Sequence, residues 1–122
     1  MATTTTRCRR ITRRYAIPPG SAARVEFDYP GPNGRHCSQP LLDLSVSGLS
    51  FACADELPGI DSGTTLSPAV VHVGDCDVHG ELLVMHVTDG ARTIVGALFY
   101  PAHDIDLVKW KGVLAGVQAL QP

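Results

Sequence analysis

A chain of 122 residues, 44% apolar and 18% charged, is long enough for one domain with a real core. No apolar run approaches the ~20 residues of a membrane-spanning helix, and the N-terminus lacks the apolar stretch of a secretory signal, so neither membrane insertion nor export is expected. The formal net charge of −2 hides an asymmetry: Arg7, Arg9, Arg10, Arg13 and Arg14 give the first fourteen residues a charge of +5, and the rest of the chain carries −7.

Residues 1–14 read as a flexible arm. Its cations are all arginine, and the first lysine is Lys109. A guanidinium fork matches phosphate oxygens and base edges as an ammonium does not, so a basic arm on an acidic body points to an anionic partner. The competing reading is a solvated terminus, which the threonines at 3–6 would suit.

Pro18-Pro19-Gly20-Ser21 stops any helix. Residues 23–29 alternate apolar and polar side chains and predict a half-buried strand. Pro30-Gly31-Pro32-Asn33-Gly34 predicts a turn, with Asn-Gly as a hairpin signal. A second strand follows over about 35–45, where Pro40 asks for an edge or a bulge. Ser47-Gly48 turns the chain into a third strand at 49–53. A loop over 54–65, with Pro58, Gly59 and Gly63, leads to strands at 66–73, 80–88 and 92–100. Six short strands at this spacing predict an all-β-dominated fold, an antiparallel barrel or sandwich.

After Pro101 the apolar period changes. A helix is expected over about 104–120, with Asp104 as N-cap and Asp106 favoured by the helix dipole. Leu107, Trp110, Leu114 and Val117 form its expected apolar stripe, widened by Val113 and Leu120. Gly112 and Gly116 suggest close packing against a neighbour.

The turn after the second strand carries Asp43-Leu44-Ser45-Val46-Ser47-Gly48. Asp43 and Ser45, two apart on a strand, are expected on one side, where both can address one ligand. A carboxylate accepts hydrogen bonds only, which suits an N–H edge of a base, while the serine can donate or accept. Gly48 would let the backbone take a positive φ and approach a ligand closely. The competing reading is a turn that serves only its own geometry. With the arginine cluster, this turn reads as the second half of a site for an anionic ligand that also bears a polar base.

Other reactive residues offer little. Cys8, Cys37, Cys53 and Cys76 have no paired spacing and are expected as reduced thiols in a cytoplasmic protein. Cys76-x-x-His79 is one pair where zinc needs three or four convergent ligands, so neither metal nor cofactor is expected. Ser45 lies in no Gly-x-Ser-x-Gly elbow, and no glycine-rich phosphate loop is present, so the chain is not expected to be an enzyme.

The order Arg-x-x-x-Arg, a strand, Asp43-x-Ser45-x-x-Gly48, then a six-stranded antiparallel barrel and a C-terminal helix resembles the PilZ domain family. The resemblance covers nearly the whole chain, with residues 15–122 as the domain behind its arm. Val95-Gly96-Ala97-Leu98-Phe99 is similar to the family's Gly-x-x-Phe in the last strand. The resemblance implies a bacterial receptor for cyclic di-GMP, bound as one or two stacked molecules. It implies that Arg10 and Arg14 hold phosphates and stack on guanine, while Asp43, Ser45 and Gly48 read a guanine. Arg9 and Arg13 form the second possible register; Arg10 with Arg14 is preferred because Tyr15-Ala16-Ile17 follows like the family's entry to its first strand. Ligand capture is expected to order the arm and to signal through contact with a downstream protein. One alternative is a PilZ-like adaptor that binds protein and no nucleotide. Another is a barrel that takes nucleic acid on its arginine arm, against which stand the acidic body and an aromatic content of 6%.

Overall fold

The computed structural model describes residues 13–18, 20–31, 34–53 and 57–121. The chain runs β1 (Tyr15–Ala16), β2 (Arg24–Tyr29), β3 (Arg35–Leu44), β4 (Gly48–Cys53), β5 (Thr65–Val73), β6 (Cys76–Thr88), β7 (Thr93–Pro101) and α1 (Asp104–Ala119). Strands β2 to β7 pair antiparallel in the order β3-β2-β5-β6-β7-β4, and β4 pairs back onto β3. The result is the expected six-stranded barrel with one helix.

Alternation drives the closure. Val25 and Phe27 of β2 point inward, and so do Leu49 and Phe51 of β4, Val78, Leu82 and Val84 of β6, and Val95 and Phe99 of β7, each at most 4% exposed. Phe27 meets Phe51 across the interior with ring centroids 5.5 Å apart. Each such side chain contributes about 1.5–3 kcal/mol by leaving water. The register of β3 slips between Leu41 and Asp43, one residue beyond Pro40, so the irregularity that the proline predicts is a bulge and not an edge. Strand β6 is longer than its expected span, starting at Cys76 directly after a turn at Gly74-Asp75.

Strand β1 is an addition to the expected set. It pairs with the end of β3, Tyr15 opposite Leu44 and Ala16 opposite Asp43. The same flank of β3 is taken up earlier along the strand by β2, through Arg24 opposite Pro40. The chain segment that follows the arginine cluster is thereby zipped onto the strand that carries Asp43.

Helix α1 differs from expectation in three respects. His103, not Asp104, occupies the N-cap, and its side chain makes no capping bond. The buried stripe is Asp106, Trp110, Val113 and Val117, so Leu107 is turned outward at 43% exposed and Leu120 at 65%. The helix rolls because Asp106 is anchored: its carboxylate accepts the backbone N–H of His79 at 2.8 Å. A side chain fixed to β6 at 106 sends the residues at 110, 113 and 117 inward and leaves 107 on the far side. Gly112 and Gly116 do not serve close packing, since a Cβ at either would meet nothing within 4 Å. Among the described residues no helix is long and apolar enough to cross a membrane.

Candidate functional site

The turn between β3 and β4 is held from within and from behind. The Ser45 hydroxyl accepts the Gly48 N–H at 3.1 Å, and the Ser45 N–H donates to the Gly48 carbonyl at 2.8 Å. Behind it, the Trp110 indole N–H donates to the Val46 carbonyl at 3.1 Å and the Phe99 N–H to the Ser47 carbonyl at 2.9 Å. Trp110 in turn packs on Phe99 with centroids 4.7 Å apart. A four-residue bend is thereby tied to the last strand and the helix, and its position relative to the barrel is fixed.

Gly48 is required by strand packing, and not by a positive φ or by approach to a ligand. It lies in β4 and is not among the positive-φ glycines. A Cβ there would fall 2.0 Å from the Ala97 carbonyl oxygen, so close approach of β4 to β7 forces the glycine. Ser45 likewise differs from the expectation that it and Asp43 face a ligand together. Its side chain is 2% exposed with its hydroxyl engaged in the turn, whereas Asp43 is half-buried at the surface.

Arg14 lies against Asp43. Its Nη1 donates to Asp43 Oδ1 at 2.7 Å, which follows from the β1–β3 pairing that puts Ala16 opposite Asp43. Their side chains are 46% and 26% exposed, so the pair contributes at most about 1 kcal/mol and exchanges readily for another partner. Arg13 turns the other way, its guanidinium 5.6 Å from the centre of the Tyr15 ring. Arg9 and Arg10 lie outside the described residues, as does the arm up to residue 12.

A cleft of about 150 Å³ opens beside this pair, lined by Arg14, Ser47, Gly48, Met85, His86 and Gly96 among others. Ligand sites for drug-sized molecules run to roughly 300–1,000 Å³, so this is one wall of a site, with room for a single ring or phosphate. Neither Ser47, expected only as part of the turn, nor His86 is among the ligand-binding residues expected from the sequence. A signal for His86 does exist: counting alternation from Leu82 and Val84 places a histidine at a core position, and a charged-capable ring there asks for a bulge. Larger hollows lie elsewhere, one of about 720 Å³ at the opposite loops near Cys53, Pro58 and Arg92, but none of the expected site residues lines it. Among the described residues no group of three or more His, Cys, Asp or Glu could hold a metal ion.

No family model and no curated protein matches the sequence. Solved structures do match the fold. The PilZ domain of YcgR from Escherichia coli with cyclic di-GMP superposes with a TM-score of 0.75 at 14% identity, covering 91% of this chain and 92% of that one. The chain has the PilZ-domain fold. The complex of K. pneumonia MrkH with cyclic di-GMP gives a TM-score of 0.77 at 14% identity over 88% of this chain, and the Bacillus subtilis inhibitor of motility MotI/DgrA gives 0.64 at 12% over 89%. The chain spans about half the length of the MrkH and MotI chains. Identities this low establish the PilZ architecture, and the chemistry of the site rests on this chain's own residues.

Proposed function

We propose that this PilZ-fold chain is a receptor for cyclic di-GMP, taken between the arginine segment and the turn at 43–48. The observation that carries the reading is Arg14 beside Asp43 at 2.7 Å, at the rim of the cleft. A guanidinium has five N–H donors and spends one here, so the others remain for phosphate oxygens. The Asp43 carboxylate keeps acceptor capacity for the N–H edge of a guanine. Arg14 holds phosphate or stacks on guanine with Arg10 as its partner, and Asp43, Ser45 and Gly48 form the base-reading turn. Arg9 with Arg13 remains the second register, weakened by the Arg13 contact with Tyr15. The cyclic di-GMP in the fold-matched YcgR and MrkH structures supports the choice of ligand.

The chain acts by binding and not by catalysis, in the cytoplasm of a bacterium. Each charge-assisted contact to a phosphate is worth roughly 1.5–3 kcal/mol, and ordering one arm residue costs about 1–2 kcal/mol. Several arginines must therefore engage together, so the arm orders on the ligand as a unit and offers a changed surface to a downstream protein. Calorimetric titration with cyclic di-GMP tests the reading. Saturable binding is expected, with Arg14→Ala weakening it at least tenfold, about 1.4 kcal/mol. Absence of binding by the unaltered chain would leave the nucleotide-free adaptor as the better reading.

A further inference from the structure

We infer that His86 is a third contact element of the nucleotide site, donating a hydrogen bond to the bound ligand from β6. The inference rests on the reading of the site as a cyclic di-GMP site. Three observations converge on this side chain. The first is the register of β6 against β7, which shifts between Val84 and His86 so that Val84 faces Ala97 and His86 faces Gly96. Along β6 the inward residues are Val78, Leu82 and Val84, and unbroken alternation would send His86 into the core next. The extra residue, Met85, resets the count: Val87 packs against the core and His86 goes to the outer face. A bulge spent on re-aiming one side chain is a device for placing that side chain.

The second is Gly96. A Cβ at this position would lie 2.1 Å from His86 Cε1, 2.6 Å from Nδ1 and 2.8 Å from Nε2. The imidazole thus occupies the space a side chain at 96 would fill. The glycine of the Gly-x-x-Phe sequence is the seat of this ring.

The third is the company the ring keeps. His36, His72 and His103 each have a carboxylate within 4 Å. His86 has none among the described residues, and instead lines the cleft with Arg14, Ser47 and Gly48. The charged groups facing that cleft are Arg14 and, through it, Asp43; the turn and β7 add only serines, glycines, Ala97 and Leu98. An exposed imidazole beside a guanidinium and the Ser47 side chain, with no acid of its own, suits acceptor atoms brought by a ligand, such as phosphate oxygens or the O6 and N7 of guanine.

Calorimetric titration with cyclic di-GMP, using the unaltered chain, His86→Ala, Gly96→Ala and the double variant, tests this. His86→Ala is expected to bind at least fivefold more weakly than the unaltered chain. Gly96→Ala, which evicts the ring without removing it, should weaken the unaltered chain and add little to His86→Ala. His86→Ala retaining the full affinity overturns the inference, and so does Gly96→Ala weakening His86→Ala as much as it weakens the unaltered chain. If Arg14→Ala still weakens binding in that case, His86 alone is refuted and the nucleotide reading stands; if the unaltered chain binds nothing, both fall.

Discussion

His72 shows what a single side chain can impose on its surroundings. Its Nδ1 lies 2.6 Å from Asp77 Oδ1 and its Nε2 3.1 Å from Glu26 Oε1, on the outer face where β2, β5 and β6 adjoin. A ring with an acceptor at each nitrogen donates to both only as the imidazolium. The hydrogen bond from His72 holds the Asp77 carboxyl below its ordinary value. For Glu26, burial pushes upward, but hydrogen bonds from His72 and Arg24 pull further, and the net is again a lowered value. Folded values below unfolded ones mean that this stabilisation is complete above the ordinary carboxylate range and is lost as pH falls through the lowered values. Asp77→Asn should therefore make stability fall less steeply than in the unaltered chain as pH drops below the ordinary carboxylate range. Urea titrations at a series of pH values check this, and parallel acid limbs for the two proteins would refute it. At the other end of the helix contact, Asp106 is lowered chiefly by the His79 backbone N–H, with His103 adding to it, so its anchoring follows the same pH rule.

Helix α1 is the element that joins the fold to the site. Trp110 packs against Phe99 and holds the turn by the Val46 carbonyl, and Gln121 just beyond the helix donates to the Ala16 carbonyl at 2.9 Å. The two flanks of the site are thus both tied to one helix. Trp110→Phe keeps most of the packing but removes the indole N–H and some volume, and is expected to cost about 1–3 kcal/mol, read as a lower urea midpoint with an unchanged slope. No change in midpoint would mean that the turn holds itself. The helix also marks where the sequence is legible. Its span and its existence follow from apolar spacing after Pro101, yet hydropathy alone ranks leucine above an aspartate and so draws the stripe through Leu107 and not Asp106. The Asp106 bond to His79 is a tertiary contact with no local trace, and it decides the roll. Strand β2 is legible because it alternates and the later strands because turn residues bound them, whereas in β1 two residues carry no period. The turn at 43–48 could be found from its residue types. That Ser45 is spent within it, and that Gly48 answers to the Ala97 carbonyl and not to a positive φ, depend on β7.

At the scale of the whole molecule, the charge asymmetry and the barrel make one argument. Five arginines at 7–14 precede a body of net −7, and the structure joins the two where β1 pairs with β3 beside Asp43. The Arg14–Asp43 contact is weak by its exposure, so a phosphate can take over the guanidinium at little cost. A ligand that binds only the folded chain stabilises it by mass action, about 2.7 kcal/mol at a hundredfold excess over Kd. For a domain of this size each kcal/mol is worth roughly 3–5 °C, so cyclic di-GMP at that excess should raise Tm by about 8–14 °C. The shift should shrink as salt rises, because its source is guanidinium–phosphate attraction at partly exposed groups. Arg14→Ala at the same ligand concentration, ten or more times weaker in binding, should lose at least about 1.3 kcal/mol of this stabilisation and so roughly 4–7 °C of the shift. Thermal scans at two salt concentrations make the comparison. A shift equal in both proteins, or one indifferent to salt, would place the bound nucleotide away from the arginine segment.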